Sequence, residues 1–516
     1  MDWTHNSIGR RIPTHLDGRP LKPFQGAFSG KVEGNVAGRR IATTPHRGPI
    51  DKVIPAWDEL LDRLQPRSGM TISFHHHLRN GDRVVNEVMT RLAARGLKDL
   101  VVAPSALFPV HDLLVDLIKS GVISHVEGSM NGQVGVACSK GLMKKPAVLR
   151  SHGGRYRAIQ DGDLHIDIAF IAAPTADPTG NANGVHGKSA CGPMCYALPD
   201  SLWADQVVLL TDNLVPYPCL PWSIQGGNVD YVLPVETIGD PTQIVSGTTR
   251  LTKSPTQLLI AEYTAQFIEE SGIMKEGFSF QAGAGGISLA ANAFLAERMR
   301  KKGIKASFAH GGANKILVDM LKEGQLGAII DLQSFDLAAV ESCRDNVRHV
   351  ESTPHTSYNQ HAKGCLANQL DVAILGATEI DLDFNVNVNT HSDGLLLHGI
   401  GGHSDAAAGS TCCIITAPSF RKRMPIIREK VTTVSTPGEV IDVVVTERGI
   451  AINPRRPDLL DRLKGSRIPL VTLPQLMQET HALTGVPDQP RLGDRPVAII
   501  EWRDGTVLDV VHQVLD

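Results

Sequence analysis

The 516-residue sequence lacks any strong excess of charge, with 51 basic residues against 54 acidic ones and a net charge of −3. A chain so nearly neutral offers little electrostatic footing for nucleic acid or an anionic membrane surface. It also lacks an apolar run of the roughly 18–20 residues that a membrane span requires. Its first residues, Met1-Asp2-Trp3-Thr4-His5, carry no apolar stretch of the kind found in secretory signals. Eight cysteines are too few for a disulfide scaffold in so long a chain. Cys191 and Cys195 stand one residue too far apart for a CxxC redox pair, and Cys412 and Cys413 point to opposite sides of a strand. Buried, reduced thiols in a cytoplasmic protein are expected. Basic residues are scattered, and the densest run, Arg421-Lys422-Arg423, reads as solvated surface.

What the sequence does contain is an internal echo. LVDLIKSG at 114–121 returns as LVDMLKEG at 317–324, and DIAFIAAPTADPTGNAN from Asp167 returns as DVAILGATEIDLDFNVN from Asp371. Within the second pair, Asp177 matches Asp381, Asn181 matches Asn385, and Asn183 matches Asn387. Ser73-Phe74 against Ser279-Phe280 gives a third match. The spacing is roughly 205 residues, which is the size of a domain and not of a solenoid repeat. A chain of this length is expected to exceed one core in any case. Three parts follow: an arm over 1–50, a first domain over 51–245, and a second over 246–516. The join lies near 240–255, where Gly239-Asp240-Pro241 and Ser254-Pro255 punctuate the chain.

Each part alternates short β-branched runs with helical patterns. Strands are expected at 99–103, 167–172, 328–332 and 372–375, and helices at 111–120, 258–270 and 288–302. That alternation predicts an α/β fold of mostly parallel sheets covered by helices. The arm, rich in Gly, Pro and Arg, is expected to wrap a neighbour or the other domain.

Glycine-dense loops recur at strand ends, at Gly153-Gly154, Gly283–Gly286, Gly311-Gly312 and Gly399–Gly402. Glycine lets backbone N–H groups approach an anion or oxyanion closely. The loop with Gly283, Gly285 and Gly286 runs directly into a helical pattern, which suits an oxyanion site. Gly184-Val185-His186-Gly187-Lys188-Ser189 resembles a phosphate loop, but Ala182 stands where its first glycine belongs, so a nucleoside triphosphate site is not expected. His75-His76-His77 are consecutive, and His391, His398 and His403 lack the spacing of a helical zinc pair. No metal is expected; substrate hydrogen bonding or packing suits these histidines better. Among the acidic candidates Glu379, Asp381, Asp383, Asp393 and Asp405, Glu379 follows a strand, where α/β sheets present ligands.

Longer segments carry a resemblance. SFHHHLRNGD (73–82), RSHGGRYRAIQDGDLHIDIAF (150–170), GNANGVHGKSACG (180–192), KEGFSFQAGAGGISLA (275–290) and EIDLDFNVNVNTHSDGLLLHGIGGHSD (379–405) resemble the citrate lyase alpha-subunit family. NSIGRRIP (6–13), KPFQGAF (22–28) and DGTVLDVVHQV (504–514) extend the resemblance to both ends. It implies two tandem CoA-transferase-like domains and an enzyme that replaces the acetyl group of an acyl-carrier thioester with citrate, releasing acetate. It implies as partners a beta subunit that cleaves the citryl thioester and an acyl carrier protein (gamma) subunit, within a larger complex in which this chain is itself repeated. No tightly bound cofactor is implied; CoA, or the carrier's CoA-derived prosthetic group, enters as co-substrate with acetyl-CoA as its free form.

On that reading the oxyanion falls to Gly283, Gly285 and Gly286, and citrate to Arg150, His152, Arg155, Lys188, His76 and Asn80. The CoA-derived group falls to Gly311, Gly312, Asn385, Gly401, Gly402 and His403. Better-known CoA-transferases carry a nucleophilic glutamate early in the second half, where Ser307–Gly312 here has none but does have His310. This fits a ternary complex with a mixed anhydride, with His310 and Glu379 as further catalytic candidates. A relative acting on citramalate, an acetyl-CoA hydrolase and a catalytically silent acyl-CoA-binding scaffold are the alternatives.

Overall fold

The computed structural model describes residues 2–29, 51–245 and 251–515. It contains two large sheets. The first has six parallel strands in the order Tyr231–Pro234, Gln206–Thr211, Ile168–Ala173, Thr71–Phe74, Leu100–Pro104, Ile123–Val126. The second has nine, in the order His349–Glu351, Leu326–Ser334, Ala306–Ala313, Ser279–Ala282, Val372–Gly376, Cys412–Thr416, Val443–Thr446, Gly449–Ile452, Leu470–Val471. Only the hairpin of Val443–Thr446 with Gly449–Ile452 breaks its parallel run. Central strands such as Ile168–Ala173 and Cys412–Thr416 are buried throughout, as sheets with both faces covered require. Helices supply the cover; Gly286–Lys302 is a long example, ending with Arg300, Lys301 and Lys302 against its dipole and a left-handed Gly303.

The strand order repeats. In each sheet the first strand of the half is central, the next strands lie to one side, and the later ones return to the other. Local detail repeats as well. Asp167 accepts the Thr71 N–H at 2.7 Å, as Asp371 accepts that of Ser279 at 2.9 Å. Asp177 closes a turn through the N–H groups of Thr179 and Asn181, and Asp381 does the same through Asp383 and Asn385. Asn181 and Asn385 then accept the Gly226 and Gly438 N–H groups, each at 2.9 Å. One of the sequence matches is displaced. Ile72 pairs Ile168 and Phe280 pairs Val372, so Ser73 corresponds to Gln281 and not to Ser279. A two-residue slip leaves every side chain on the same face of the sheet, so the alternation pattern cannot reveal it.

The chain crosses back at its end. Leu492–Glu501 and Val507–Val514 form an antiparallel hairpin, and Leu492–Glu501 pairs in parallel with Ala147–Leu149 of the first half. The start of the arm packs on this hairpin: Asn6 donates to the Leu508 carbonyl at 2.7 Å, Arg10 pairs with Asp509 at 2.7 Å, and Phe24 meets Trp502 edge-on at 5.6 Å. Residues 2–29 therefore wrap the far end of their own chain; arm residues 30–50 lie outside the described residues. All eight cysteines are free and seven are buried. Among the described residues no helix is long and apolar enough to cross a membrane.

Candidate active site

A cavity of about 1160 Å³ opens between the two sheets. Its walls come from loops at the carboxyl ends of parallel strands in both halves. His76, Arg79 and Asn80 follow Thr71–Phe74, while Gly283, Ala284 and Gly285 follow Ser279–Ala282. Strand order reverses beside these central strands, and such switch points are where open α/β sheets hold ligands.

One wall is aromatic. The rings of His76 and Tyr196 stack at 4.4 Å, and His152 lies 4.5 Å from Tyr196 and 5.5 Å from His76. Ser105 anchors His76 through both its backbone N–H and its Nδ1, at 3.0 and 2.7 Å. His152 is placed by an interlock between the halves. Ser151 caps the helix His152–Asp161, Asp405 accepts from Ser151 Oγ and the Gly153 N–H, and the His152 N–H donates to the Gly401 carbonyl at 2.9 Å;. The helix start is thus already occupied by a carboxylate from the other half.

Burial sets the charge of this wall. It pushes the His152 imidazole down to about 3, with Arg155 adding to the effect. It holds His76 well below the usual histidine range, helped by His152 and Arg79. His403 falls to about 4, because burial outweighs its bond to the Gly376 carbonyl. These rings are neutral at pH 7, so the fixed positive charge on the wall belongs to Arg79 and Arg421. Burial lowers Arg79 only to about 10, and its guanidinium lies 4.8 Å over the Phe108 ring. Asp393, exposed and capping its own turn through the Leu395 N–H, is the one carboxylate residue on the cavity wall among the described residues.

The opposite wall is the glycine loop. Gly283 lines the cavity, but its N–H is taken by the Ile374 carbonyl at 2.8 Å. The helix Gly286–Lys302 has Gly285 at its N-cap with no side chain over the end. The first-turn N–H groups, beginning with Gly286, have no intrahelical acceptor and concentrate positive potential there. Next to this loop, Gln281 is held on both sides. His310 Nδ1 donates to its Oε1 at 2.7 Å, and its Nε2 donates to the Tyr358 hydroxyl at 3.0 Å. His310 Nε2 in turn accepts from Ser357 at 2.8 Å, which fixes the tautomer. Burial keeps His310 neutral, down to about 3.

Of the residues expected from the sequence, His76, Asn80, His152, Gly283, Gly285, Gly311, Gly312, Gly401, Gly402 and His403 line the cavity. The others stand elsewhere. Gly286 opens the helix behind the loop, and His310 lies one bond behind Gln281. Arg150 bridges Glu127 and Glu501 at 2.7 and 2.6 Å, fastening the C-terminal hairpin. Arg155 grips Asp200 with two nitrogens, at 2.8 and 2.7 Å, and Lys188 donates to the Glu236 carbonyl at 2.6 Å. Glu379 is fully buried against Arg428, Asn387 and Thr432, and Asn385 closes the Asp381 turn. The sequence reading passed over Arg79, Tyr196, Gln281, Tyr358 and Arg421. Arg79 lies inside the 73–82 segment, and Gln281 stands two residues before Gly283 of the glycine loop. The tyrosines carry no local signal. Among the described residues one group has the spacing of metal ligands, His165, Asp167 and Asp205, and none of the three lines the cavity.

A family model described as citrate lyase, alpha subunit (CitF), matches residues 51–514. The chain belongs to the citrate lyase alpha-subunit family. It is 46% identical over 464 residues to the citrate lyase alpha chain of Klebsiella pneumoniae, covering 90% of this chain and 91% of that protein. A crystal structure of an alpha subunit of citrate lyase from Streptococcus mutans, in complex with citrate, matches with a TM-score of 0.94 at 44% identity, covering 99% of this chain and 100% of that one. At the level of fold alone, 4-hydroxybutyrate CoA-transferase from Porphyromonas gingivalis matches with a TM-score of 0.54 at 18% identity, over 84% of this chain and 98% of that one. The expected α/β fold of the CoA-transferase kind, with mostly parallel sheets, is borne out.

Proposed function

We propose that this alpha subunit moves a thioester-bound carrier from acetyl to citrate, and does so in a ternary complex. A citrate carboxylate oxygen attacks the acetyl carbonyl, the carrier thiolate leaves, and a mixed anhydride forms. The thiolate then attacks the citryl carbonyl, and acetate departs with the former citrate oxygen. One thioester replaces another, so the exchange is balanced without a further reactant.

The observation that carries this reading is the charge of the cavity wall: two arginines beside His76, His152 and His403, which burial keeps neutral, with Asp393 as the one carboxylate and no glutamate among its described residues. Arg79 and Arg421 suit the carboxylates of a trianion, since charge-assisted bonds from guanidinium to carboxylate are strong. The first-turn N–H groups of Gly286–Lys302 and the clamped Gln281 amide suit oxyanions at the two carbonyls. Glu379, the reserve candidate for a covalent intermediate, points into its own buried network and away from this chemistry. At about 1160 Å³ the cavity also exceeds the ~300–1,000 Å³ of ordinary small-molecule sites, as two substrates held together require. The carrier subunit and the lyase beta subunit are the partners on this reading, CoA can replace the carrier, and the cytoplasm is the compartment.

Purified protein incubated with acetyl-CoA and citrate, followed by mass spectrometry, tests the reading, with citramalate in parallel. Citrate-dependent appearance of both citryl-CoA and acetate is expected. Acetate without citryl-CoA would identify a hydrolase, and inertness even with the acetylated carrier would leave only a scaffold.

A further inference from the structure

The basic run Arg421-Lys422-Arg423 has a place in the fold that its sequence context conceals. Phe420–Arg421 and Met424–Pro425 form a two-stranded hairpin, pairing Phe420 with Pro425 and Arg421 with Met424. Lys422 and Arg423 are its two-residue tip, with Lys422 at φ 56 as such tight turns require. Both residues that flank the tip, Arg421 and Met424, line the cavity. The tip therefore stands one residue, ~4 Å of chain, from the cavity wall.

The charge there is uncompensated. Arg421 donates to the Ala377 carbonyl at 2.8 Å, a contact between two residues of the cavity wall. Lys422 and Arg423 are exposed, and among the described residues none of the three has a carboxylate within ion-pair distance. By contrast Lys430 is paired with Asp383, and the half-buried Arg448, whose guanidinium lies over the Phe420 ring, is paired with Glu447. The carboxylate of Asp393 sits on the cavity wall itself, and no contact joins it to the tip. In a molecule whose net charge is −3, a run of three cations that begins on the wall of the one large cavity described is a directional feature.

We propose that the Lys422-Arg423 tip is the docking surface for an anionic face of the acyl carrier protein, seated so that its thioester arm enters the cavity past the paired Arg421 and Met424. This rests on the transferase reading and names the surface its macromolecular substrate uses. A large anionic occupant suits this placement, because Lys422 and Arg423 are exposed and stand outside the cavity lining, whereas Arg421 belongs to it. Electrostatic complementarity at a rim governs encounter and salt dependence more than the chemistry within.

The test is a double reversal, Lys422→Glu with Arg423→Glu, in the full chain, assayed with acetyl-CoA and separately with the purified acyl-carrier subunit bearing its acetylated prosthetic group. The expected result is a KM for the acetylated carrier raised by at least about tenfold, with most of its salt dependence gone. The KM for acetyl-CoA and kcat with citrate should stay within about twofold. Equal losses with both substrates would mean that the tip binds CoA phosphates and would overturn the proposal. Unchanged kinetics with the carrier would overturn it as well. Turnover of acetyl-CoA and citrate by the unaltered chain reports separately on the transferase reading, so the two cannot fail indistinguishably.

Discussion

Replacing Glu379 with glutamine separates the two ways in which a buried carboxylate beside a CoA-transferase cavity could matter. Its Oε1 lies 3.0 Å from Arg428 Nε and 3.2 Å from Thr432 Oγ1, and its Oε2 accepts from Asn387 Nδ2 at 2.9 Å and the Thr432 N–H at 2.8 Å. The side chains of Glu379 and Arg428 are 0% and 4% exposed, so water cannot replace either partner. An amide keeps one acceptor but turns an N–H₂ toward donors and leaves the Arg428 charge uncompensated. Breaking one side of a buried pair typically costs about 3–5 kcal/mol. At roughly 2–4 °C per kcal/mol, melting should fall by on the order of ten degrees. The assay is a thermal melt together with citryl-CoA formation measured well below the transition. Turnover per folded molecule is expected to stay within about threefold of the unaltered chain. A loss of a thousandfold or more at unchanged melting would falsify this reasoning, and would make Glu379 the covalent nucleophile.

Other outcomes follow from the same geometry. Arg79→Gln should raise the KM for citrate by about 10–100-fold, the worth of a charge-assisted bond, and leave that for acetyl-CoA nearly unchanged; parallel shifts in both would deny it a carboxylate-binding role. Gly312→Ala places a Cβ 2.0 Å from Phe335 Cζ, on the cavity wall. Displacing that ring should cost about 1–3 kcal/mol in a denaturant titration and impair substrate binding, whereas normal kinetics would refute the tight contact. Acid should destabilise the fold early. His77 and His403 are lowered to about 4, and His152 and His310 to about 3, each chiefly by burial. The unfolded chain then binds more protons than the native one below about pH 6.5, so stability falls from there down to about pH 3–4. Glu351, raised to about 7 by burial, works in the opposite sense, its contribution fading as pH rises through 7. So do Asp381, Asp405 and Asp442, also raised by burial, while His76 and His398, lowered by burial, add to the four. Melting midpoints that hold steady between pH 6.5 and 4.5 would contradict these neutral histidines.

Much of the architecture was legible without coordinates, and particular residues show why. The echo of Asp177, Asn181 and Asn183 in Asp381, Asn385 and Asn387 is a set of turn contacts made within a few residues, so sequence alone preserves it. Strands such as Ile168–Ala173 announce themselves because both faces are buried and the run must be apolar. Glycine loops at strand ends likewise have a local cause, and most of the glycines named do line the cavity. Arginines were harder. Arg150, Arg155 and Arg79 look alike in sequence, yet Arg79 lines the cavity while the other two pair with Glu127, Glu501 and Asp200 behind it.

Sequence by itself determined the α/β class, the doubled plan, the glycine loops and the family, because each rests on short-range pattern or on long stretches of shared residues. Only the tertiary structure decided which charges are satisfied, since a carboxylate 45 or 351 positions away settles whether an arginine faces substrate or core. It also set Arg421, the first residue of a run that is exposed as its sequence suggests, on the cavity wall, and returned the C-terminal hairpin to the first half. Those outcomes depend on how two sheets meet, and the energy of that meeting is distributed over side chains far apart in the chain.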